Sequence, residues 1–328
     1  MQKVITFGET MIRLSPPDNH RLEQAKSFDV HVGGSESNVA VAIERLGLDT
    51  SFVTRLTKNP LGRMVRNKIR EHGVDVSNVV WTDEDRVGTY FVEYGANPRP
   101  SAVIYDRADS AISKIDKGTV NWKKVFAGGT LFHTSGITPA LSPSAREVTE
   151  EAMREAKGGG LKVSVDLNYR SKLWSQEEAG ECMTRLMEFT DILVTSEEDT
   201  SRVFGITGES YEEVAEALAD RFGFEAVAIT LRDNISMWRN DWTAIAYKDG
   251  EFYDDMTYEL ELVDRVGGGD SFTAGFLYGY LTEGPEKGVK YGNATSAIKQ
   301  TNPGDINWCT LEEVRSLAQG GGRVRISR

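Results

Sequence analysis

The chain has 328 residues, 39% of them hydrophobic and 27% charged, with only 9 Pro, and this composition argues against wholesale disorder and against a fibrous repeat. Fifty acidic residues against 38 basic ones give a net charge of −12, which opposes binding to nucleic-acid phosphates and to anionic membrane surfaces. Two Cys and four His support neither a disulfide framework nor a zinc cluster. No signal-like or membrane-spanning apolar stretch occurs, so we expect a soluble, cytoplasmic protein.

The chain begins with alternating strands and helices. An apolar run at 3–7, closed by Gly8, predicts a buried strand. Apolar residues at helical spacing predict a helix at 38–46, which Gly47 ends in a left-handed conformation. A strand at 51–56, a helix at 61–72 and a strand at 79–81 follow, and this order is typical of βαβ winding.

Two segments interrupt that alternation. Residues 86–105 alternate apolar and polar side chains around a proline-rich turn at 97–100, which predicts a hairpin. Residues 9–32 lack helical periodicity and contain Pro16 and Pro17. Both segments, over about 9–32 and 86–107, are predicted to leave the main sheet as a small β lid over a site, although periodicity leaves open an edge extension of the main sheet.

The alternation resumes near residue 131 and continues to residue 300. Strands are predicted at 131–134, 161–166, 191–195, 226–231 and 260–263, and helices at 146–157, 176–189, 211–222, 271–281 and 287–300. This pattern predicts one α/β domain over residues 1–328, with helices on both faces of the sheet. The glycine-rich end from Gly320 is predicted to fray, because glycine loses the most conformational freedom on ordering.

The segment most informative about chemistry is 264–270, Asp-Arg-Val-Gly-Gly-Gly-Asp, which precedes a predicted helix. Gly267, Gly268 and Gly269 lack a Cβ, so an anion can approach their amides closely, and the helix start directs its positive dipole end to the same point. Such a turn would stabilise a transferring phosphoryl group. Asp270 would repel that phosphate, so a base that accepts the proton of an attacking alcohol explains its presence.

These residues also have simpler interpretations. Residues 267–269 can form a plain tight turn with Asp270 as the helix N-cap. The chain contains no Walker A pattern, and its three consecutive glycines do not supply GxGxxG. A second glycine segment, Gly33-Gly34, precedes Asn38, whose amide suits either a polyhydroxylated ligand or the cap of the following helix.

Taken together, residues 32–40, 46–47, 59–62 and 264–275 resemble the two signatures of the ribokinase-like (PfkB) carbohydrate kinase family, and the resemblance spans nearly the whole chain. Within that family, the motifs at 8–16, 105–107, 166–170 and 264–267 are similar to those of 2-keto-3-deoxygluconate kinases.

The resemblance implies a doubly wound, mostly parallel sheet with helices on both faces and a small β lid, which binds ATP and Mg²⁺ beside the glycine turn and a sugar acid beneath the lid. It implies that Asp270 is the catalytic base and that Gly267, Gly268 and Gly269 form the anion hole. The positions that would contact the sugar acid are Gly34, Asn38, Tyr90, Tyr105, Arg107, Arg170 and Asp305. The planar guanidinium groups of the two arginines suit the carboxylate of a sugar acid. The sequence leaves open that the arginines form surface ion pairs instead and that the tyrosines pack in the core of the lid.

The nucleotide side departs from the family pattern. The usual Asn-x-x-Glu element reads Ser196-Glu197-Glu198-Asp199, which keeps oxygen atoms for Mg²⁺, with Asp199 acting through water. The usual Thr-Leu-Gly-x-x-Gly loop spans 230–236 here, where Thr230 is kept and Arg232 replaces a glycine, either to bind a nucleotide phosphate or to cap the loop. Asn293 is a further candidate, near the expected adenine pocket.

The expected activity is therefore ATP-dependent phosphorylation of the primary hydroxyl of 2-keto-3-deoxygluconate or a close sugar acid. A kinase for fructose, ribose or a nucleoside, and a catalytically silent sugar-binding regulator, are the alternatives. Nucleic acids and membranes are not expected partners. A homo-oligomer that forms through the lid is expected, because exposed strand edges favour pairing.

Overall fold

The computed structural model describes residues 2–320, so the glycine-rich end beyond Gly320, which was predicted to fray, lies outside the described residues. The strands of the described residues are β1 (Lys3–Phe7), β2 (Met11–Ser15), β3 (Asp29–Gly33), β4 (Asp49–Val53), β5 (Arg55–Thr57), β6 (Val80–Thr82), β7 (Thr89–Glu93), β8 (Ala102–Asp106), β9 (Leu131–Ser135), β10 (Lys162–Asp166), β11 (Ile192–Ser196), β12 (Ala226–Asn234), β13 (Arg239–Lys248), β14 (Glu251–Tyr253) and β15 (Tyr258–Glu261). The α-helices are α1 (Ser35–Leu46), α2 (Pro60–Arg70), α3 (Trp122–Val125), α4 (Ile137–Ala140), α5 (Pro143–Gly158), α6 (Gln176–Met187), α7 (Glu197–Phe204), α8 (Tyr211–Phe222), α9 (Gly268–Glu283), α10 (Pro285–Gln300) and α11 (Leu311–Ala318).

The main sheet has the order β14-β13-β12-β11-β10-β9-β1-β4, and β15 pairs with β13 at its edge. The pairs from β4 to β12 are parallel, whereas β13 pairs antiparallel with β12, β14 and β15. Helices cover both faces. In β11, for example, Leu193 packs into one hydrophobic core, and Ile192 and Val194 pack into the other. Strands buried on both faces are mostly apolar, and this explains why the sequence predicted β1, β9, β10, β11 and β12. The strand predicted at 51–56 is instead divided between β4 and β5, which pairs with β6 in a separate two-stranded sheet, and β13 was missed.

The segments that interrupt the alternation form a separate four-stranded sheet, named here the small sheet, with the order β3-β2-β7-β8. β2 pairs antiparallel with β3 and parallel with β7, and β7 and β8 form the predicted hairpin. The alternative of an edge extension of the main sheet is therefore wrong. The predicted α/β class, with a mostly parallel sheet between helical layers, is confirmed.

Three predicted boundaries are wrong near the glycine segments and the nucleotide segment. Helix α1 begins at Ser35 rather than 38, with Gly34 as its N-cap. Helix α9 begins at Gly268 rather than 271, because Gly267 takes the N-cap position with a φ of +82°. The segment 230–236 is not a loop, since β12 continues to Asn234 and forms a hairpin with β13. Without the family's glycines, these residues keep pairing as extended strand.

No helix in the described part of the chain is both long enough and apolar enough to cross a bilayer.

Candidate active site

A cavity of about 320 Å³ lies at the carboxyl ends of the central parallel strands, where ligands bind in open α/β sheets. The small sheet contributes Met11, Gly33, Tyr90 and Tyr105 to its wall, one residue from each strand. The structure brings together in this cavity all the residues that the sequence proposed, except Asn293. They are Gly34, Asn38, Tyr90, Tyr105, Arg107, Arg170, Ser196, Asp199, Thr230, Arg232, Gly267, Gly268, Gly269, Asp270 and Asp305.

Asp270 lies where the first turns of α1 and α9 meet. Its Oδ1 accepts a hydrogen bond from Ser35 Oγ at 2.8 Å, and its Oδ2 accepts one from Asn38 Nδ2 at 2.7 Å. Asn168 Nδ2 in turn donates to Ser35 Oγ at 3.2 Å. Burial raises the pKa of the Asp270 carboxyl, although these hydrogen bonds oppose the rise. The carboxylate is thus held in one orientation inside the cavity.

These contacts correct two simpler interpretations of the sequence. The N-cap of α9 is Gly267, so Asp270 lies inside the helix and does not cap it. Likewise, Gly34 caps α1 and Asn38 lies within that helix, where its amide is committed to Asp270. Ser35 was missed as a site residue, because nothing in its sequence position shows that it meets a residue 235 positions away.

The glycine turn presents a different set of free amides from the one that the sequence suggested. The N–H of Gly268 donates to the carbonyl of Arg265 at 3.2 Å and is not free. Within residues 2–320, the N–H groups of Gly267, Gly269 and Asp270 donate no hydrogen bond. A Cβ at Gly267 would overlap the carbonyl oxygen of Asp305, so this position needs glycine for close approach as well as for its φ. The free amides at the start of α9 form an anion-binding position.

Three carboxylates lie around Arg170. Burial and the negative charges of Asp270 and Asp199 raise the pKa of Asp166, at the end of β10, to about 8. Burial also raises the pKa of Asp199, and the positive charge of Arg170 opposes this rise. Ser196 caps the helix that carries Asp199, because its Oγ accepts a hydrogen bond from the Asp199 N–H. Burial and neighbouring carboxylates thus disfavour the ionised form of both groups, and a bound cation would favour that form. Among the described residues, no three acidic, His or Cys side chains are placed to hold a metal directly.

The two arginines that the sequence predicted to contact the sugar acid differ in charge balance. Arg107 Nε donates to Glu9 Oε2 at 2.7 Å, and Ser110 Oγ donates to Glu9 Oε1 at 2.6 Å, so the Arg107 charge is neutralised inside the protein. Arg170 forms no ion pair with any residue from 2 to 320 and donates only to the Tyr169 carbonyl, at 3.4 Å. Arg170 is therefore the cation that remains available to a ligand on this side.

Tyr90 and Asp305 contact each other as well as the cavity. The Tyr90 hydroxyl donates to Asp305 Oδ1, and Arg13 binds Asp305 Oδ2 at 2.7 Å. The rings of Tyr90 and Tyr105 stack with centroids 5.8 Å apart. Both carboxylate oxygens of Asp305 are thus occupied by protein groups, and this pairing was not visible in the sequence.

The hairpin of β12 and β13 forms the cavity wall at which the sequence predicted nucleotide binding. Side chains alternate along a strand, so Thr230, Arg232 and Asn234 share the face that lines the cavity. Arg265 Nη1 donates to Asn234 Oδ1 at 3.4 Å, and burial together with the nearby Arg232 charge lowers the pKa of Arg265. Neither arginine forms an ion pair within the described residues. Two cations side by side with no ion-pair partner indicate an anion site. Sequence analysis had assigned no role to Arg265.

Asn293 lies away from this wall. It is fully buried in α10, and its Nδ2 donates to Asp255 Oδ2 at 3.4 Å.

Comparison with known proteins finds relatives that match nearly the whole chain. A sequence profile described as pfkB family carbohydrate kinase matches residues 1–313. A 2-dehydro-3-deoxygalactonokinase of Haloferax volcanii is 41% identical over 322 residues, which cover 97% of each chain. The crystal structure of a 2-dehydro-3-deoxygluconokinase from Thermotoga maritima superimposes with a TM-score of 0.95 at 42% identity and covers 97% of this chain and 98% of its own. A provisionally assigned ribokinase II from E. coli, solved with ATP and Mg²⁺, shares the fold with a TM-score of 0.85 at 21% identity, covering 98% of this chain and 100% of its own.

Proposed function

The chain belongs to the pfkB family of carbohydrate kinases, and we propose that it transfers the γ-phosphoryl group of ATP to the primary hydroxyl of a 2-keto-3-deoxy sugar acid, with 2-keto-3-deoxygluconate as the favoured substrate. One observation carries the proposal: a single cavity contains the oriented Asp270 carboxylate, free amides at the start of α9 and the unpaired cation Arg170. The names of the relatives at 41% and 42% identity support the substrate class, since "keto" and "dehydro" denote the same carbonyl.

Asp270 acts as the general base. As the substrate oxygen attacks the γ-phosphorus, the hydroxyl proton passes to the Asp270 carboxylate, and the bond from phosphorus to the bridging oxygen of ADP breaks. Ser35 and Asn38 keep the carboxylate aimed at the hydroxyl. The amides of Gly269 and Asp270 stabilise negative charge on the transferring group, and they need no reorganisation because α9 already fixes them.

The carboxylate of the sugar acid binds Arg170. A guanidinium binds a carboxylate through paired, charge-assisted hydrogen bonds, and Arg170 has no internal carboxylate among residues 2–320 to displace. Arg107, which Glu9 already neutralises, contributes hydrogen bonds to the sugar rather than net charge. A neutral sugar offers Arg170 no such charge-assisted pair.

The nucleotide phosphates lie along Arg232 and Arg265, with Thr230 beside them. The carboxylates of Asp166 and Asp199 fit a magnesium ion, because Mg²⁺ is usually held by one or two carboxylates together with substrate phosphates and water. When bound, Mg²⁺ neutralises charge on the phosphates. Ser196 supports this region by capping the helix that carries Asp199. Because the reaction consumes ATP, we also propose that the protein works in the cytoplasm.

The small sheet serves as the lid and as the contact with a second copy of the chain. It covers the cavity with one residue from each strand, and closure would exclude water that competes with the sugar. On its other face, Val30, Leu14, Phe91 and Ile104 form one row across the four strands. Val30 and Ile104 are 52% and 54% exposed. A matching row on a second copy would cover these apolar side chains, and sedimentation should find a dimer; a monomer at all concentrations would contradict this contact.

The test of the proposed function is an ATP-consumption screen over the gluconate and galactonate epimers of 2-keto-3-deoxy sugar acids, with fructose and ribose as neutral controls. We expect the kcat/KM for at least one sugar acid to exceed the kcat/KM for the neutral sugars by tenfold or more. A tenfold ratio corresponds to the free energy of about one charge-assisted hydrogen bond. Preference for a neutral sugar would overturn the substrate class. No ATP-dependent product with any sugar would overturn the activity.

A further inference from the structure

Behind the glycine turn lies a buried set of charges to which the proposed phosphoryl transfer assigns no step, and of these only Asp305 lines the cavity. Arg13, on β2 of the small sheet, is fully buried between Asp264 Oδ2 at 2.8 Å and Asp305 Oδ2 at 2.7 Å. Lys299, also fully buried, donates to the Asp264 carbonyl at 2.9 Å. Two cations thus balance two carboxylates, as charges removed from water require.

Asp264 determines the shape of the glycine turn. Its Oδ1 accepts from the N–H of Val266 at 2.9 Å, which fixes the residues just before Gly267. Its Oδ2 accepts from the N–H of Gly304 at 2.9 Å, which fixes the segment that packs against Gly267. A shift of the Asp264 carboxylate therefore moves both sides of the turn whose amides are free.

Tyr94 connects the small sheet to this carboxylate. It follows β7 directly, and its hydroxyl donates to Asp264 Oδ2 at 2.5 Å while accepting from Arg13. Tyr94 and Asp264 do not line the cavity, in contrast to Tyr90 and Tyr105. The hydroxyl of Tyr94 thus contacts the groups that shape the turn without contacting the space where substrates bind.

We propose that Tyr94 is a positioning residue that couples the position of the small sheet over the cavity to the shape of the glycine turn. The inference rests on the proposed function in that the turn is taken to bind the transferring phosphoryl group. When the small sheet covers the cavity, the Tyr94 hydroxyl donates a hydrogen bond to Asp264, and the Asp264 carboxylate keeps the amides of the turn in their anion-binding arrangement. With the small sheet displaced, Asp264 loses the two donors that come from it, the Tyr94 hydroxyl and the Arg13 guanidinium, and the turn relaxes, so that phosphoryl transfer is coupled to coverage of the cavity.

The test compares Tyr94→Phe with Tyr291→Phe as a control. The Tyr291 hydroxyl is also partly buried and donates a hydrogen bond to a carboxylate, Glu283 Oε1, at 3.1 Å, but it lies away from the turn. In Tyr94→Phe we expect kcat to fall about tenfold or more, because a hydrogen bond to a charged group is lost, while KM for ATP and for the sugar acid stays within about twofold. Tyr291→Phe should keep the wild-type kcat. A kcat for Tyr94→Phe within twofold of wild type, or an equal loss in both variants, would overturn the proposal.

A second measurement does not depend on activity. Amide hydrogen exchange at Val266 and Gly304, whose N–H groups donate to the Asp264 carboxylate, should be faster in Tyr94→Phe than in wild type and in Tyr291→Phe at matched global stability, because the turn is released locally. Unchanged exchange there would contradict the connection. Should the wild-type protein transfer no phosphate to any sugar, the proposed function fails, and the exchange comparison still decides whether Tyr94 holds the turn.

Discussion

Replacing Asp270 with Asn removes the proposed base while preserving the shape of its surroundings. Asn38 Nδ2, at 2.7 Å in the wild type, can still donate to the remaining carbonyl oxygen. Ser35 Oγ, at 2.8 Å, can rotate its proton away and accept from the new amide. The lost contact therefore costs about 1 kcal/mol of local stability, whereas a positioned base contributes about 10²–10⁴ in rate, or about 3–5 kcal/mol.

We therefore expect Asp270→Asn to lower kcat by at least about a hundredfold and to leave the dissociation constant of the sugar acid within a few-fold of wild type. A coupled ADP assay measures kcat, and titration calorimetry measures binding. Asp233→Asn is the matched control, because Asp233 is an exposed carboxylate on β12 that does not line the cavity. If Asp270→Asn turns over within about tenfold of wild type, the assignment of the base is refuted.

Three further predictions concern charge. Arg170→Ala should raise KM for the sugar acid about tenfold or more and affect fructose or ribose little; equal losses on acid and neutral sugars in steady-state kinetics would argue against carboxylate recognition. Arg265→Gln, like Arg232→Gln, should raise KM for ATP about tenfold and leave sugar-acid binding unchanged, and an unaltered KM for ATP would remove these residues from the phosphate site. Burial raises the pKa of Glu36 from 4.5 to about 6, so the folded state binds the proton more tightly than the unfolded state does. The free energy of unfolding should therefore decline as pH rises from below 4.5 to above 6, by about 2 kcal/mol from this group, and Glu36→Gln should flatten that part of the urea-denaturation profile; parallel profiles would contradict the assignment.

Much of the fold was predictable because its signals are local. The parallel strands are apolar on both faces, and helix ends carry residues such as Gly47, whose φ is +102°. The family was predictable for a similar reason, since its signatures are short contiguous motifs, and the match over residues 1–313 confirms it. The predicted boundaries of α9 and β12 were wrong, and in both cases the presence or absence of glycine explains the difference. Gly267 moved the start of α9, and the absence of glycine after Thr230 let β12 continue.

The pairings between distant residues were not predictable from the sequence. Arg13 meets Asp305 across 292 positions, and Glu9 meets Arg107 across 98. The sequence presented Arg107 and Arg170 as two equivalent cations, and only the fold distinguishes them, since Glu9 neutralises one of them. Arg265 was likewise visible only as a residue between two motif positions until the hairpin of β12 and β13 placed Asn234 beside it.

The central claim is that an alcohol and the terminal phosphate of ATP meet at Asp270. A crystal structure with 2-keto-3-deoxygluconate and a non-hydrolysable ATP analogue measures this directly, through the distance from the primary hydroxyl oxygen to the Asp270 carboxylate. We predict a distance of about 2.6–3.2 Å, with the γ-phosphate on the amides of α9 and the sugar carboxylate on Arg170. A bound sugar acid whose primary hydroxyl points away from Asp270, with its carboxylate far from Arg170, would contradict the account.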